Sequence, residues 1–506
     1  MPSLVLLVCA CLAPAPAPDP APNSTPGDWP AFLGPQGTGV SEETGLRTAV
    51  PDAAAVLAWT AEIGEGYSAP VVVTVPGTAP GAAADGGTKQ VVLTHRREGG
   101  REILTRRDLN TGAVTWESAA PTAFRDPYGY NGGPRASPLV VMNRSGEGNG
   151  GGAVYTLGAA GRAACVDLNT GEERWSRDFN ADLDIPRWFF GVGGSPVLYE
   201  GDEGESLVIF APGGQPNAGI VAVNPDTGAT VWQAVGKQTW DGVTVRQERG
   251  DDGPYEWTGE EQVVSYATPL LATIHGEPHL LCLVRQGLVS LDPRTGAQRF
   301  AYWFRSPKYE SVNAARPVVV GDRILLTAAY RAGSVLLKVQ PSGDAVTEVW
   351  RDLDRLACHW STPVIHDGLI YGFAGRHERE GMLECVDLAT GELKWSADGR
   401  DAAGEITFAR NAAGYVNAAG DRVPFPDFGR GSCLLAPSVG KNGTLYILGE
   451  RGTLFCAAPS ANGYQERSRT TVPKISYPAW PAPVLSHGRL LLADEESLTV
   501  LDLRTK

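Results

Sequence analysis

The sequence predicts an all-β fold, an eight-bladed β-propeller of four-stranded antiparallel blades. Two repeated patterns and one missing strand predict it. The first pattern is a turn leading to a tryptophan: "RDLNTGAVTW" ends at Trp116, "CVDLNTGEERW" at Trp175, "VNPDTGATVW" at Trp232 and "CVDLATGELKW" at Trp395. The second is an opening of a small residue, Pro and an apolar run, which occurs eight times. The missing strand is at the end of the chain, where "LDLRTK" enters the turn but never reaches its Gly or its Trp strand.

The openings are "SAPVVV" at Pro70, "ASPLVV" at Pro138, "GSPVLY" at Pro196, "ATPLLA" at Pro269, "ARPVVV" at Pro317, "STPVIH" at Pro363, "LAPSVG" at Pro437 and "PAPVLS" at Pro483. Proline lacks a ladder donor and belongs at the first residue of a strand or on an edge. A turn such as "GDR", "HDG" or "KNG" follows, then a strand such as "LIYGFAG" and a short one such as "LECVDL". These apolar runs are too short for helices and lack a 3.6-residue period.

The turn links the third and fourth strands of each unit. Asp167 begins it with a side chain able to accept backbone N–H bonds, and Gly171 supplies a positive φ. Trp175 then falls in the fourth strand, and Trp116, Trp232 and Trp395 hold the same place, with Phe300 as a substitute after Gly296. One such ring per unit is a packing plate between neighbouring sheets. Blade five is divergent, with extra residues before Trp350, and blade seven lacks the Trp. A bare sheet edge at the chain's end is a liability. The upstream strand "VLAWTAEI", Val56 to Ile63 with Trp59, is therefore expected to complete blade eight.

Composition agrees with this architecture and narrows the function. Hydrophobic residues make up 42% of the 506, enough for a large core, and the 62 Gly and 38 Pro suit many tight turns. A net charge of −14 opposes nucleic-acid and anionic-membrane partners. Residues 1–27 read as a signal- or lipoprotein-like leader and Pro/Ala linker, and 28–506 as the propeller. The leader has an apolar run but no basic start, and "VCAC" before "APAPAPDPAP" makes Cys11 a candidate lipid anchor. No later segment reaches the roughly 18 apolar residues of a membrane helix. The expected location is extracytoplasmic, in the periplasm or secreted. Cys165, Cys385 and Cys456 recur at one repeat position and are expected to be buried thiols. Cys358 and Cys433 are left open between pairing and not.

The "D-x-x-T-G-x-x-x-W" repeat, with "DWPAFLGPQGTGV" and "NGGPRASPLV", resembles the PQQ-like β-propeller family over residues 28–506. The resemblance implies one of two unlike jobs. One is a non-catalytic extracytoplasmic scaffold or binding protein, similar to the outer-membrane barrel-assembly lipoprotein BamB. The other is a quinoprotein alcohol or sugar dehydrogenase holding pyrroloquinoline quinone and calcium. Such dehydrogenases carry adjacent cysteines, often a C-x-x-C-H haem site, and calcium ligands; this sequence has neither cysteine motif and announces no ligand set. The scaffold reading is therefore the expectation, as a monomer without cofactor, metal or catalytic residues.

Other chemistry is weaker. His275 and His279 stand four apart, but within a Gly/Pro hairpin rather than on a helical face. "SGEGNGGG" leads into no helix, so it is a loop and not a phosphate cradle. Binding is expected where long aromatic connections join one blade's outer strand to the next blade's inner strand. They place Tyr130, Arg135, Arg187, Trp188, Tyr309, Arg316, His359 and Trp360 near the channel mouth, for a protein partner or a small ligand. Arg135 and Arg316, each close to an opening, have the alternative of bonding loop carbonyls.

Overall fold

The computed structural model describes residues 25–77, 87–142, 151–186, 189–202, 204–236, 240, 244–245, 255–256, 266–308, 311–400, 406–409, 414–420, 422–437 and 443–505. Residues 1–24 of the leader and linker, Cys11 included, lie outside the described residues, together with Arg187, Trp188 and Tyr309.

Eight four-stranded antiparallel sheets follow one another along the chain. Blade two shows the plan: Leu139–Met142 is innermost, followed outward by Gly152–Leu157, Arg162–Asp167 and Glu173–Asp178. The two middle strands are buried on both faces and the outer strand alternates with solvent. Apolar side chains of adjacent blades interleave into shared cores.

Ring closure runs through the N-terminus. Leu57–Glu62 pairs antiparallel with Ser497–Asp502 and becomes the outer strand of blade eight. The termini thus meet in one sheet, and no blade is left with three strands.

The repeated turn has two uses. Asp167 Oδ1 accepts the Asn169 and Thr170 N–H groups, each at 2.9 Å, as expected of its place. The Gly serves the neighbouring blade as well. A Cβ at Gly171, whose φ is +77°, would stand 2.8 Å from Trp116 of the preceding blade. The Trp plate lies on the next blade's glycine, and its indole N–H donates to a carbonyl of the same turn. Trp59 reaches Leu109 O at 2.7 Å, Trp116 reaches Leu168 O at 3.0 Å, and Trp175 reaches Pro225 O at 2.7 Å. Trp232, Trp350 and Trp395 donate in the same way to Pro293, Leu388 and Ser460. The motif repeats because each copy is half of a joint, and its partner half sits one blade away.

Trp175 is half-buried rather than enclosed. Trp175→Ala is accordingly expected to cost about 2–4 kcal/mol, below the range for a fully buried aromatic. Denaturant unfolding checks it, and a loss under ~1 kcal/mol would mean that the plate and its bond to Pro225 do not join the blades.

The residue before the opening proline forms a second joint between four pairs of blades. Ala69 N donates to Ser137 Oγ at 2.9 Å, Ser137 N to Ser195 Oγ at 2.9 Å, and Ser195 N to Thr268 Oγ1 at 3.0 Å. Arg316 N donates to Thr362 Oγ1 at 3.0 Å. These bonds run from blade to blade around the channel, which is why Ser or Thr precedes the proline at Pro138, Pro196, Pro269 and Pro363.

Blade seven corrects the sequence reading. Its inner strand is Ser432–Ala436, so Pro437 ends the strand instead of opening it. Cys433 occupies the proline's place and pairs with Ile447. Two small sheets were also unforeseen: Thr244–Val245 with Tyr255–Glu256, and a three-stranded one from Ile406 to Val423. All six described cysteines are free and buried, Cys358 and Cys433 included.

Candidate functional site

The chain before blade one is a strap laid across the channel. Trp29 bridges Val72 of blade one, and Pro30 O accepts Val140 N of blade two. The strap then crosses to Arg316 in blade five and bridges Val40 to Leu435 in blade seven. Arg316 is 6% exposed and donates to Pro269 O, Phe32 O and Gly37 O. Burial pushes its guanidinium down to about 9, which still leaves it charged at neutral pH. Gly37 (φ +66°) is required there, because a Cβ would stand 2.0 Å from Arg316 Nη1. Arg316 therefore fastens the strap; of the two sequence readings of it, carbonyl bonding is the one the geometry shows.

Above the strap lies a cavity of about 210 Å³, with Phe32 and Leu33 among its lining residues. All eight blade-to-blade connections contribute to its wall, and they do so by position. The residue three before each opening proline lines it: Tyr67, Arg135, Gly193, Tyr266, Ala314, Trp360 and Trp480, with Arg430 three before Cys433 in blade seven. Tyr130 and His359 line it too. A second cavity of about 270 Å³ opens beneath the strap, against the inner strands of blades one to four.

Five consecutive connections form a stacked girdle. The Arg430 guanidinium carbon lies 4.6 Å from the Trp360 ring centroid and 5.0 Å from that of Trp480. Trp480 and Tyr67 are 5.1 Å apart, and Arg135 follows 5.5 Å from Tyr67. Stacking on aromatic faces orients both guanidiniums. Each is also paired with a buried acid: Arg430 Nε to Glu450 Oε1 at 3.0 Å, and Arg135 Nη2 to Asp126 Oδ2 at 2.8 Å. Glu450 and Asp126 side chains have no exposed surface. Trp480 Nε1 donates to the same Glu450 oxygen at 2.6 Å, and the Tyr67 hydroxyl donates to Glu495. Arg135 also donates to the Asn131 carbonyl at 2.8 Å, so it serves its own loop as well as the wall.

His359 stands between Tyr330, whose hydroxyl is 3.0 Å from Nε2, and the Trp360 ring at 5.1 Å. Burial first, then the charges of Arg430, Arg376 and His377, lower its pKa from 6.5 to about 3. The imidazole is neutral in the fold, while the unfolded chain takes up a proton below pH 6.5. The stability this group contributes is therefore complete above pH 6.5 and is lost as pH falls toward 3. His95 and His279 share the direction, while the raised Glu102 and Glu384 act oppositely. His359→Asn should make the fall in thermal midpoint between pH 7 and about 4.5 shallower; an unchanged slope would show that His359 titrates normally.

His275 and His279 do not converge. His275 Nε2 meets Val339 O at 3.1 Å, and His279 Nδ1 meets Ser290 Oγ at 2.8 Å. Among the described residues no cluster of His, Cys, Asp or Glu is placed to hold a metal.

A family profile described as "Outer membrane protein assembly factor BamB" matches residues 37–234 and 238–397. The chain belongs to this family of PQQ-like β-propellers. The BamB-family chain is similar in structure to BamB from Moraxella catarrhalis, at 13% identity and a TM-score of 0.47, over 88% of this chain and 99% of that one. It is also similar to a quinohemoprotein alcohol dehydrogenase from Comamonas testosteroni, at 11% identity and a TM-score of 0.56, over 96% and 82%. At such identities the likeness is one of fold. A comparison with curated proteins by sequence finds no match.

Proposed function

We propose that this BamB-family chain is a non-catalytic, extracytoplasmic binding propeller, acting as a monomer, with its ligand or partner seated in the cavity above the strap. One observation carries the reading: the wall is built by the same position in all eight connections, yet among the described residues it presents no carboxylate and no activated nucleophile. Cys433 reaches the wall, but burial pushes its thiol up to about 12. His359 is bonded to Tyr330 and to none of the lining hydroxyls. Export rests on the leader and on the family description, with Cys11 as the proposed lipid anchor.

The quinoprotein alternative fits in part. The faces of Trp360 and Trp480 would suit a planar quinone. Calcium needs six to eight oxygen ligands, several of them carboxylate, and the described lining residues supply no carboxylate. The residues present do not fit the ion, which is why binding is preferred to oxidation. The test adds pyrroloquinoline quinone and calcium to the purified chain and follows absorbance and dye reduction with alcohols and sugars. No stoichiometric change is expected; turnover would overturn the reading.

A further inference from the structure

The strap meets the blades at one repeated position. Val72, Val140 and Leu435 each stand two residues after the opening residue of their blade, Pro70, Pro138 and Cys433. Trp29 exchanges both main-chain bonds with Val72, at 2.7 and 2.9 Å, and Pro30 O accepts Val140 N at 2.8 Å. Leu435 N donates to Gly39 O, and the Leu435 carbonyl accepts Ser41 N. In an antiparallel ladder successive residues direct their N–H and C=O to opposite sides. This position therefore turns them away from its own sheet and into the channel.

Leu198 and Leu271 hold the same position after Pro196 and Pro269, in blades three and four. Their register agrees. Leu198 stands opposite Val208 and Leu271 opposite Leu280, as Val72 stands opposite Val92 and Val140 opposite Val154. Among the described residues no main chain bonds them from the channel side. Val72, Val140 and Leu435 are 5% exposed or less, whereas Leu198 and Leu271 are half-buried and line the cavity of about 270 Å³ beneath the strap. That cavity is a continuation of the strap's own seat.

Such an edge is matched by an extended main chain, which supplies N–H and C=O at the spacing of a ladder. The strap shows the scale, since the consecutive residues Trp29 and Pro30 serve consecutive blades. Val73, Leu139, Met142 and Pro278 line the rest of the space and suit apolar side chains. The chain's own start is poorly placed to fill it. Gly27 O is held by Ser486 of blade eight, across the ring from blade four. We propose that an extended apolar segment of a partner protein adds its main chain to Leu198 and Leu271, alongside the strap. This site is separate from the cavity above the strap and does not depend on what that cavity holds.

The full chain is titrated with a panel of capped hexapeptides of Val, Leu, Ile, Phe and Thr flanked by lysines. Calorimetry reports binding, and hydrogen exchange read by mass spectrometry reports its place. At least one peptide should bind and slow exchange in residues 196–200 and 269–273 about tenfold or more. N-methylation of alternate amides along one edge of that peptide should weaken binding about tenfold for each bond lost. Methylation along the other edge should not. Met142→Trp narrows the cavity without altering the edge, and should weaken binding about tenfold while leaving the thermal midpoint in place. No binding by the panel at millimolar concentration, equal loss from both methylation patterns, protection elsewhere, or unchanged affinity in a folded Met142→Trp overturns the proposal. If deleting residues 1–24 speeds exchange at Leu198 and Leu271 without peptide, the chain's own leader is the occupant and the proposal fails. If exchange there slows with protein concentration while the chain sediments as a dimer, a second copy is the occupant, and the proposal fails again.

Discussion

Truncation of the chain to begin at residue 67 should damage its far end. The deletion removes Leu57–Glu62, whose register sets Trp59 opposite Val500, Ala61 opposite Leu498 and Glu62 opposite Ser497. Ser497–Asp502 would become an edge with unpaired N–H and C=O groups, open to pairing with other chains. The Trp59 plate is lost with it, along with its bond to Leu109 O. Trp59→Ala alone is expected to cost about 3–5 kcal/mol, because this ring, unlike Trp175, is 9% exposed. The strand deletion must exceed that. Amide exchange should quicken most in residues 497–502, next in the turn 108–112 that the plate covers, and least in the outer strand of blade two, since Val140 on its inner strand also loses the Pro30 carbonyl. A tendency to aggregate should accompany it. Unchanged protection at 497–502 would mean that blade eight does not depend on the N-terminal strand.

The second large effect is expected at Arg316. Its guanidinium joins three carbonyls from two parts of the chain: Pro269 O on blade four, and Phe32 O and Gly37 O on the strap. Charge-assisted bonds contribute about 1.5–3 kcal/mol each. The desolvation of a buried cation offsets several kcal/mol of that sum. Arg316→Ala leaves the carbonyls unmet and a void beneath the strap, for an expected net loss of about 2–4 kcal/mol. The signature is local: exchange in residues 32–41 should rise far more than in the blades. Arg316→Lys should recover little, since an ammonium cannot reproduce the planar fork. If strap protection survives Arg316→Ala, the strap is held elsewhere and Arg316 is only a filler.

Much of this was legible because it is periodic. The turn with its Asp, Gly and Trp can be read from spacing, and so can the unpaired last blade that needed Leu57–Glu62. The spacing could not show that Trp59, Trp116, Trp175, Trp232 and Trp350 each rest on the next blade's Gly, since that contact joins residues far apart in the sequence. Blade seven was misplaced because Cys433 stands where the other blades have proline, and Pro437 offered a false match. The same gap hid Arg430. The cavity wall was only half read: Tyr130, Arg135, His359 and Trp360 were named from long aromatic loops, while Tyr67, Tyr266, Arg430 and Trp480 were not. A signal existed, because all four stand three residues before an inner-strand opening. It is a positional signal carried by different residue types, Tyr, Arg, Trp, Gly and Ala, so composition could not reveal it. The strap was illegible for another reason. Its partners, Leu435, Ser468, Thr470 and Leu503, are more than three hundred residues away in sequence.

That distance has a consequence for how the molecule comes into being. Residues 25–62 leave the ribosome well before their partners near residues 435–504. At ordinary synthesis rates the interval is on the order of tens of seconds. Through that interval the early blades can form and join by their Trp plates, each to the next, while the strap holds only its early partners, such as Val72 and Val140, and the ring has no seam. Contacts of such long sequence separation also form slowly once they become possible. A segment made early is thus secured late, and the strap across the channel is completed only as the ring closes.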